Sequence, residues 1–371
     1  MIYQKANPVL VRLDDLESGN VDLKSLEEAF GPESLGIIFV GGLPEKFVGL
    51  RRRLLSFASH LGNLSRAELE ALECPEAKYL YPIATFLSRN FDTDRSGERS
   101  CAKEKLSSDK VDTLKGSYYA NCAFHKDPEL ANATGNYPDL PEYTKSNIWP
   151  REGLLVGFKE TFKEFCAMVI DIASLVARLL RISIALEHIP GYQEGYLEHV
   201  VKTSTTTKAR LLHYFPPPSL EAGSVEAEED LDNWCGAHID FSCLTGLTSA
   251  MYVDEGSLTL DISQGVDLPE LESVPDPDSG LYVKDRKGGV VKVGIPRDCL
   301  AFQTGAALEA ITEGKLKAVP HFVRGCRASK AAGVSRNTIA VFTQPNLWEK
   351  IDKDRDFATF AREIVAKITE G

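Results

Sequence analysis

Beyond Thr203 the chain breaks into short β-prone runs separated by Gly, Pro and Asp, and this constrains the fold more than any other feature. The runs are Ala209–Phe215, Leu247–Val253, Ser257–Ile262, Leu281–Lys284, Val290–Val293, Cys299–Gln303, Ala318–Val323 and Thr338–Thr343. Their β-branched and aromatic content suits a pleated, half-buried surface, and the turn residues between them stop each run after a few positions. Eight short strands in succession predict a mainly β core, a jelly roll or related double-sheet barrel.

The first half reads differently. Pro8–Leu13 and Leu35–Val40 are strand candidates flanking a short helix over Leu23–Phe30, a β-α-β opening. The second strand ends in Gly41-Gly42, but Pro44 follows and the spaced glycines of a dinucleotide site are absent. Phe47, Leu50, Leu54 and Phe57 fall at helical spacing within Glu45–His60, and Ser65, followed by acidic residues, caps a further short helix. The main packing element, one helix or a broken pair, is expected from about Glu152 to His188, where Phe158, Phe162, Phe165, Val169, Ile172, Val176, Leu179, Leu180 and Ile184 mark one apolar face. Three inserts interrupt this plan. Phe91–Lys115 is dense in mixed charge and cannot offset its own ordering entropy, so it reads as a mobile loop. Glu221–Asp232 is strongly acidic, and Gly265–Gly280 carries Pro269, Pro275 and Pro277. All three are expected at the surface. The organisation that follows is an N-terminal α/β region, 1–150, belonging to the same globular unit as a long helix and β core, 151–371.

Composition narrows the function. With 42 basic and 54 acidic residues the net charge is −12, which disfavours nucleic-acid backbones and anionic lipid as partners. The most apolar stretch, Ala167–Leu186, contains Asp171, Arg178 and Arg181, as an amphipathic helix would and a membrane span would not. The first residues have no apolar core of a secretory signal, so a cytoplasmic location is expected. The eight cysteines lack the paired spacing of a zinc ribbon or redox motif, and read as reduced thiols. Cys122 and His125 could supply two zinc ligands, but no second pair exists.

One constellation carries chemistry. In Ala237–Phe241, His238 and Asp240 are two residues apart; in an extended segment both side chains point to one side of the sheet. His321, within the strand-like Ala318–Val323, can add a third ligand. Two histidines and one carboxylate form the facial triad that holds non-haem Fe(II) with three positions open. Further on, Arg336 and Thr338 open another apolar strand; an inward Arg beside a hydroxyl can clamp a carboxylate, or can be a salt-bridged residue at the barrel end.

These segments carry a resemblance. Lys208 to Pro217 (KARLLHYFPP), His238-Ile239-Asp240 with Leu244-Thr245, Thr312 to His321 (TEGKLKAVPH) and Arg336-x-Thr338 occur in the order seen in Fe(II)/2-oxoglutarate-dependent dioxygenases of the isopenicillin N synthase-like group. Asn147 to Pro150 and the β-α-β opening extend the similarity over most of the chain. The resemblance implies a double-stranded β-helix, iron on His238, Asp240 and His321, and 2-oxoglutarate with its distal carboxylate on Arg336 and Thr338 and a contact to Tyr214. It implies no protein acid or base beyond the metal ligands: 2-oxoglutarate and O₂ are consumed while a small organic substrate is oxidised. The chain departs from the pattern at Leu212, where Asn is frequent, at Phe215, where Pro is usual, and at Thr338 in place of Ser, and the His321–Arg336 spacing is longer. Two other readings stand beside this one: a 2-oxoglutarate-independent oxidase whose Arg336 and Thr338 hold the substrate, and a non-catalytic binding protein on the same barrel. Oligomeric state is not legible. The other histidines, His60, His125, His188, His199 and His213, read as structural or exposed, and Cys235 and Cys243 as small buried fillers.

Overall fold

The computed structural model describes residues 4–74, 115–183, 194–217 and 235–370. Of the insert expected at 91–115 only Lys115 is described, as a buried strand residue and not a surface one; the rest of it, the insert at 221–232, His188 and Ile184 lie outside these residues. The described residues form thirteen strands. In chain order they are β1 (Gln4–Lys5), β2 (Val9–Arg12), β3 (Ile37–Gly41), β4 (Lys115–Asn121), β5 (Lys208–Tyr214), β6 (Cys235–His238), β7 (Leu244–Thr248), β8 (Met251–Asp254), β9 (Gly280–Lys284), β10 (Val290–Val293), β11 (Leu300–Thr304), β12 (His321–Arg324) and β13 (Val334–Thr343). A smaller sheet has the order β1-β10-β9-β12-β6, a larger one β2-β3-β11-β7-β13-β5-β4, with β8 also on β13. Pairing is antiparallel except for β2 with β3 and β1 with β10.

The opening β-α-β is present: parallel β2 and β3 flank helices Leu13–Ser18 and Leu23–Phe30, and β3 continues onto β11 of the later chain. β4 pairs with β5 in the same way, so strands from both halves share one sheet.

Side-chain alternation on the larger sheet separates two environments. Leu211, Phe302, Ile339 and Val341 join the apolar core beneath helices Lys46–Gly62 and Phe158–Ser183. Leu212, Tyr214, Arg336 and Thr338, one position out of phase, line a cavity instead. Aromatic contacts fasten the helices to each other, with Phe47 on Phe165 at 5.9 Å and Phe57 edge-on to Phe158 at 5.3 Å. Two glycines permit the close approach. A Cβ on Gly246 of β7 would stand 2.4 Å from Val169, and one on Gly62 would stand 2.4 Å from the His213 ring.

Three expectations are corrected. The long helix begins at Phe158, not Glu152, because Gly157 takes the left-handed conformation (φ 76°) and its N–H is claimed by the Glu152 carboxylate at 2.8 Å. Ser257–Ile262 is not a strand: its apolar residues pack on the core singly, and Asp261 accepts from Ser263 N–H at 2.9 Å to close a turn at Ile262–Gln264. The run Leu247–Val253 is split. Between the pairs Leu247–Ala340 and Met251–Asn337, three residues of the β7–β8 stretch oppose two of β13, a β-bulge at Thr248–Ala250. Strand β4 and the helices Tyr196–Thr203 and Phe357–Glu370 add to what the sequence pattern indicates.

The Pro-rich segment is also more than a surface excursion. Leu268, Asp276 and Ser279 are buried, and Glu272–Val274 form part of the cavity wall. Arg327 fastens the segment, donating to Asp276 at 2.6 and 2.8 Å and to Asp278 at 2.6 Å. Arg51, with no exposed side-chain surface, donates to both Glu270 oxygens at 3.0 Å and to the bulge carbonyl of Ser249 at 3.0 and 3.1 Å.

Candidate metal centre and carboxylate pocket

Both sheets line one cavity of about 380 Å³. At one end His238, Asp240 and His321 meet, their ligand atoms all within 4.8 Å of one another. His238 and His321 are direct cross-strand partners on β6 and β12, with ring centroids 4.3 Å apart. A register shift on these strands beside that pair releases β6 from regular pairing. Asp240 lies just past the end of β6, so its approach is not produced by the strand alternation expected for His-x-Asp. The turn that holds it is fixed by its own carbonyl, which accepts from Ala306 N–H at 2.8 Å.

The hydrogen bonds select which atoms face the centre. His238 Nδ1 lies 2.7 Å from the Gly236 carbonyl and His321 Nδ1 2.9 Å from the Val319 carbonyl. A carbonyl only accepts, so both Nδ1 atoms carry hydrogen and the Nε2 atoms are the ones left to face a metal. Each Nε2 is 3.7 Å from Asp240 Oδ1. Asp240 Oδ2 accepts from Thr245 Oγ1 at 2.6 Å and Gln303 Nε2 at 2.7 Å. Two imidazoles and a carboxylate oxygen converging in this way are a borderline-to-hard N₂O donor set that suits a divalent transition metal, and outer partners that fix ring orientation are what such ligands require.

The electrostatics of Asp240 and His321 agree with that set, whereas His238 has to give up a proton to join it. Burial would raise the Asp240 carboxyl, but His321, His238 and the Thr245 and Gln303 hydrogen bonds outweigh it and hold it below its usual value. Burial pushes the His321 imidazole down, as a neutral ligand needs. His238 is pushed up to about 9, burial opposing, by the Cys235 sulfur and by Asp240. Cys235 is not a buried filler: it is half-buried, lines the cavity and sits 3.8 Å from His238 Nδ1. Cys243 is buried as expected.

The other end is built on β13. Arg336 is paired across the sheet with Tyr214 on one side and Tyr252 on the other, and its guanidinium lies 5.0 Å from the Tyr214 ring centroid. Burial pushes the Tyr214 hydroxyl up to about 12, so it remains a donor. Thr338, half-buried, follows on the same face beside Leu212. Behind this strand, Asn337 points the other way, accepting from His213 Nδ1 at 2.7 Å and donating to Ser59 Oγ at 2.7 Å. His213 is therefore a structural histidine on the helix side. His60 contacts the Val266 carbonyl at 3.0 Å and His125 pairs with Asp171 at 2.8 Å, and among the described residues neither belongs to a cluster that could hold a metal.

Sequence reasoning misses Gln303 and Tyr252. Both sit inside β-prone runs with nothing local to distinguish them, and only strand pairing brings them to the site.

Neither a protein-family profile nor a curated protein matches the chain. Solved structures do. A full-length Neurospora crassa protein, in complex with alpha-KG, aligns over 94% of this chain and 90% of its own at 18% identity and a TM-score of 0.60. A Caulobacter crescentus protein named for the 2OG-Fe(II) oxygenase family aligns over 99% and 100% at 15% identity and 0.62. The Arabidopsis thaliana dioxygenase for auxin oxidation 1, bound to 2-oxoglutarate, aligns over 94% and 95% at 13% identity and 0.53. The chain shares the fold of these structures. The Neurospora crassa protein has also been crystallised with thymine and with 5-formyluracil. Among the described residues no helix is long and apolar enough to cross a membrane.

Proposed function

We propose that the protein is a non-haem Fe(II)- and 2-oxoglutarate-dependent dioxygenase that oxidises a small organic substrate. The observation that carries this reading is the convergence of the two imidazole Nε2 atoms on Asp240 Oδ1, each at 3.7 Å, in a cavity whose other end holds buried Arg336. The shared fold with 2-oxoglutarate-bound structures supports it. On this reading the two sheets are a double-stranded β-helix, and 1–150 and 151–371 form one catalytic unit, supported by the strands they share in the larger sheet.

When bound, Fe(II) with 2-oxoglutarate and O₂ supplies oxidative decarboxylation to succinate and CO₂ coupled to oxidation of a substrate C–H bond. The residues of the chain bind and orient. His238, Asp240 and His321 would hold the metal through two imidazole nitrogens and a carboxylate oxygen. Arg336 and Thr338 would grip the distal carboxylate of 2-oxoglutarate, with the Tyr214 hydroxyl as a further donor. Leu212 and Leu247 add apolar wall that keeps water from the reacting atoms. A cavity of about 380 Å³ that must hold both molecules limits the substrate to a small one.

The test is anaerobic titration of Fe(II)-loaded protein with 2-oxoglutarate, following the metal-to-ligand absorption band. A saturable band in wild type and its loss in His238→Ala and Asp240→Ala are expected. Iron content unchanged in both variants would sink the site. A metal-loaded protein that gives no band would move the reading to the oxidase, with Arg336 and Thr338 holding the substrate.

A further inference from the structure

Asp240 is the ligand of the triad with a choice. Its two oxygens are chemically equivalent, and a carboxylate with both free can take a cation through one or through both. In this protein Oδ2 is occupied: the Thr245 hydroxyl donates to it at 2.6 Å and the Gln303 amide at 2.7 Å. A carboxylate oxygen offers about two lone-pair sites, so these two donors use its capacity. Oδ1 is left facing both imidazoles, 3.7 Å from each Nε2.

The donors are themselves fixed. Thr245 and Gln303 are direct cross-strand partners on β7 and β11, both fully buried. Ser242 Oγ sits 2.8 Å from Thr245 Oγ1 and holds that hydroxyl in line. Gln303 Nε2 also lies 3.3 Å from His321 Nε2, so one amide touches two of the three ligands. Gly305 lets the Asp240 turn pack this closely, since a Cβ there would stand 2.3 Å from the Ser242 carbonyl and 3.0 Å from that of Asp240.

We propose that Thr245 and Gln303 are positioning residues that hold Asp240 as a one-oxygen ligand and so keep three metal positions open. The proposal rests on the Fe(II)/2-oxoglutarate reading above, because that chemistry needs all three: two for the chelating 2-oxo acid and one for O₂. An Asp240 free to rotate would close one of them with its second oxygen.

The experiment uses the full chain loaded with Co(II), whose visible ligand-field absorption reports coordination number without turnover. Wild type is compared with Thr245→Val, Gln303→Met and Thr245→Ser, each first checked for fold by circular dichroism. In Thr245→Val and Gln303→Met we expect Co(II) affinity to fall roughly 10–100-fold, the range for lost outer-shell partners. We also expect an altered ligand-field spectrum and a weaker spectral response to 2-oxoglutarate. Thr245→Ser, which keeps the hydroxyl, should behave as wild type. Affinity within about twofold of wild type and an unchanged spectrum in both removal variants would overturn the proposal while leaving the metal centre standing. A wild type that binds Co(II) but shows no response to 2-oxoglutarate would overturn the functional reading, and the proposal with it. Should Gln303→Met fail to fold, the Thr245 pair decides: loss in Val with return in Ser supports the clamp, and equal binding in the two refutes it.

Discussion

The two ends of the cavity are made in different ways. At the metal end, ligands come from β6, β12 and the turn after β6, while the donors that orient them come from β7 and β11 of the other sheet. At the carboxylate end, Tyr214, Arg336 and Tyr252 form one row across three neighbouring strands of a single sheet. The first arrangement exists only when two sheets are brought face to face. The second follows from register alone, since any slip of β13 by one residue would exchange Arg336 for Asn337. Perturbations should therefore separate the ends.

The largest effect is expected from the ligands. His238→Ala and Asp240→Ala should lose stoichiometric iron with the fold retained, as read by metal analysis and circular dichroism. Arg336→Ala should spare iron. Truncating one partner of a buried charge pair costs about 2–5 kcal/mol, so its 2-oxoglutarate affinity should fall roughly 30-fold or more in the anaerobic titration. Arg336→Lys should recover part of this, a point charge replacing a planar fork. Equal losses of iron and 2-oxoglutarate binding in Arg336→Ala would mean that the ends are not independent.

Smaller effects test the wall between them. Asp276 is 1% exposed, and although burial opposes it, the Arg327 hydrogen bonds hold its carboxyl down at about 2. Set against an unfolded value of about 3.9, and reduced for solvent screening of the partly exposed Arg327, that difference corresponds to about 2 kcal/mol. A depressed carboxyl stabilises fully above its unfolded pKa and loses that contribution as pH falls through the folded one. The urea midpoint of Asp276→Asn should thus lie below that of wild type at neutral pH, with the gap closing between about pH 4 and pH 2. A constant gap over that range would remove the ion pair as the cause. Smallest is Ser59→Ala, which takes the acceptor from the Asn337 amide behind Arg336. We expect a loss of about 1 kcal/mol in stability, a slight weakening of 2-oxoglutarate binding and unchanged iron affinity.

Much of the site is legible from residue order alone. His238, Asp240 and His321 are legible from the His-x-Asp spacing together with a later histidine in a strand-like run, and Arg336 and Thr338 stand out at the mouth of an apolar one. Phase within a strand then assigns Tyr214 to the cavity and His213 to the helices, and the structure places them so. The reading fails where local pattern is silent or misleading. Leu258, Leu260 and Ile262 alternate like a strand but find no neighbour to pair with. Lys115–Asn121 follows a charged stretch that masks its β character, and becomes a strand by pairing with β5.

What the sequence determined by itself is what neighbouring residues impose on one another: the periodicity of the Phe158–Ser183 helix, the Ser65–Glu68 capping box, the chemical identity of the three candidate ligands. Tertiary structure alone decided how those ligands are presented. Gln303 reaches Asp240 across 63 residues, Arg51 reaches the Ser249 carbonyl across 198, and the bulge that breaks β7 from β8 appears only against β13. The reason is physical: a helix period or a cap is fixed by bonds within a few residues, whereas a hydrogen bond that chooses one oxygen of a carboxylate depends on where two sheets come to rest.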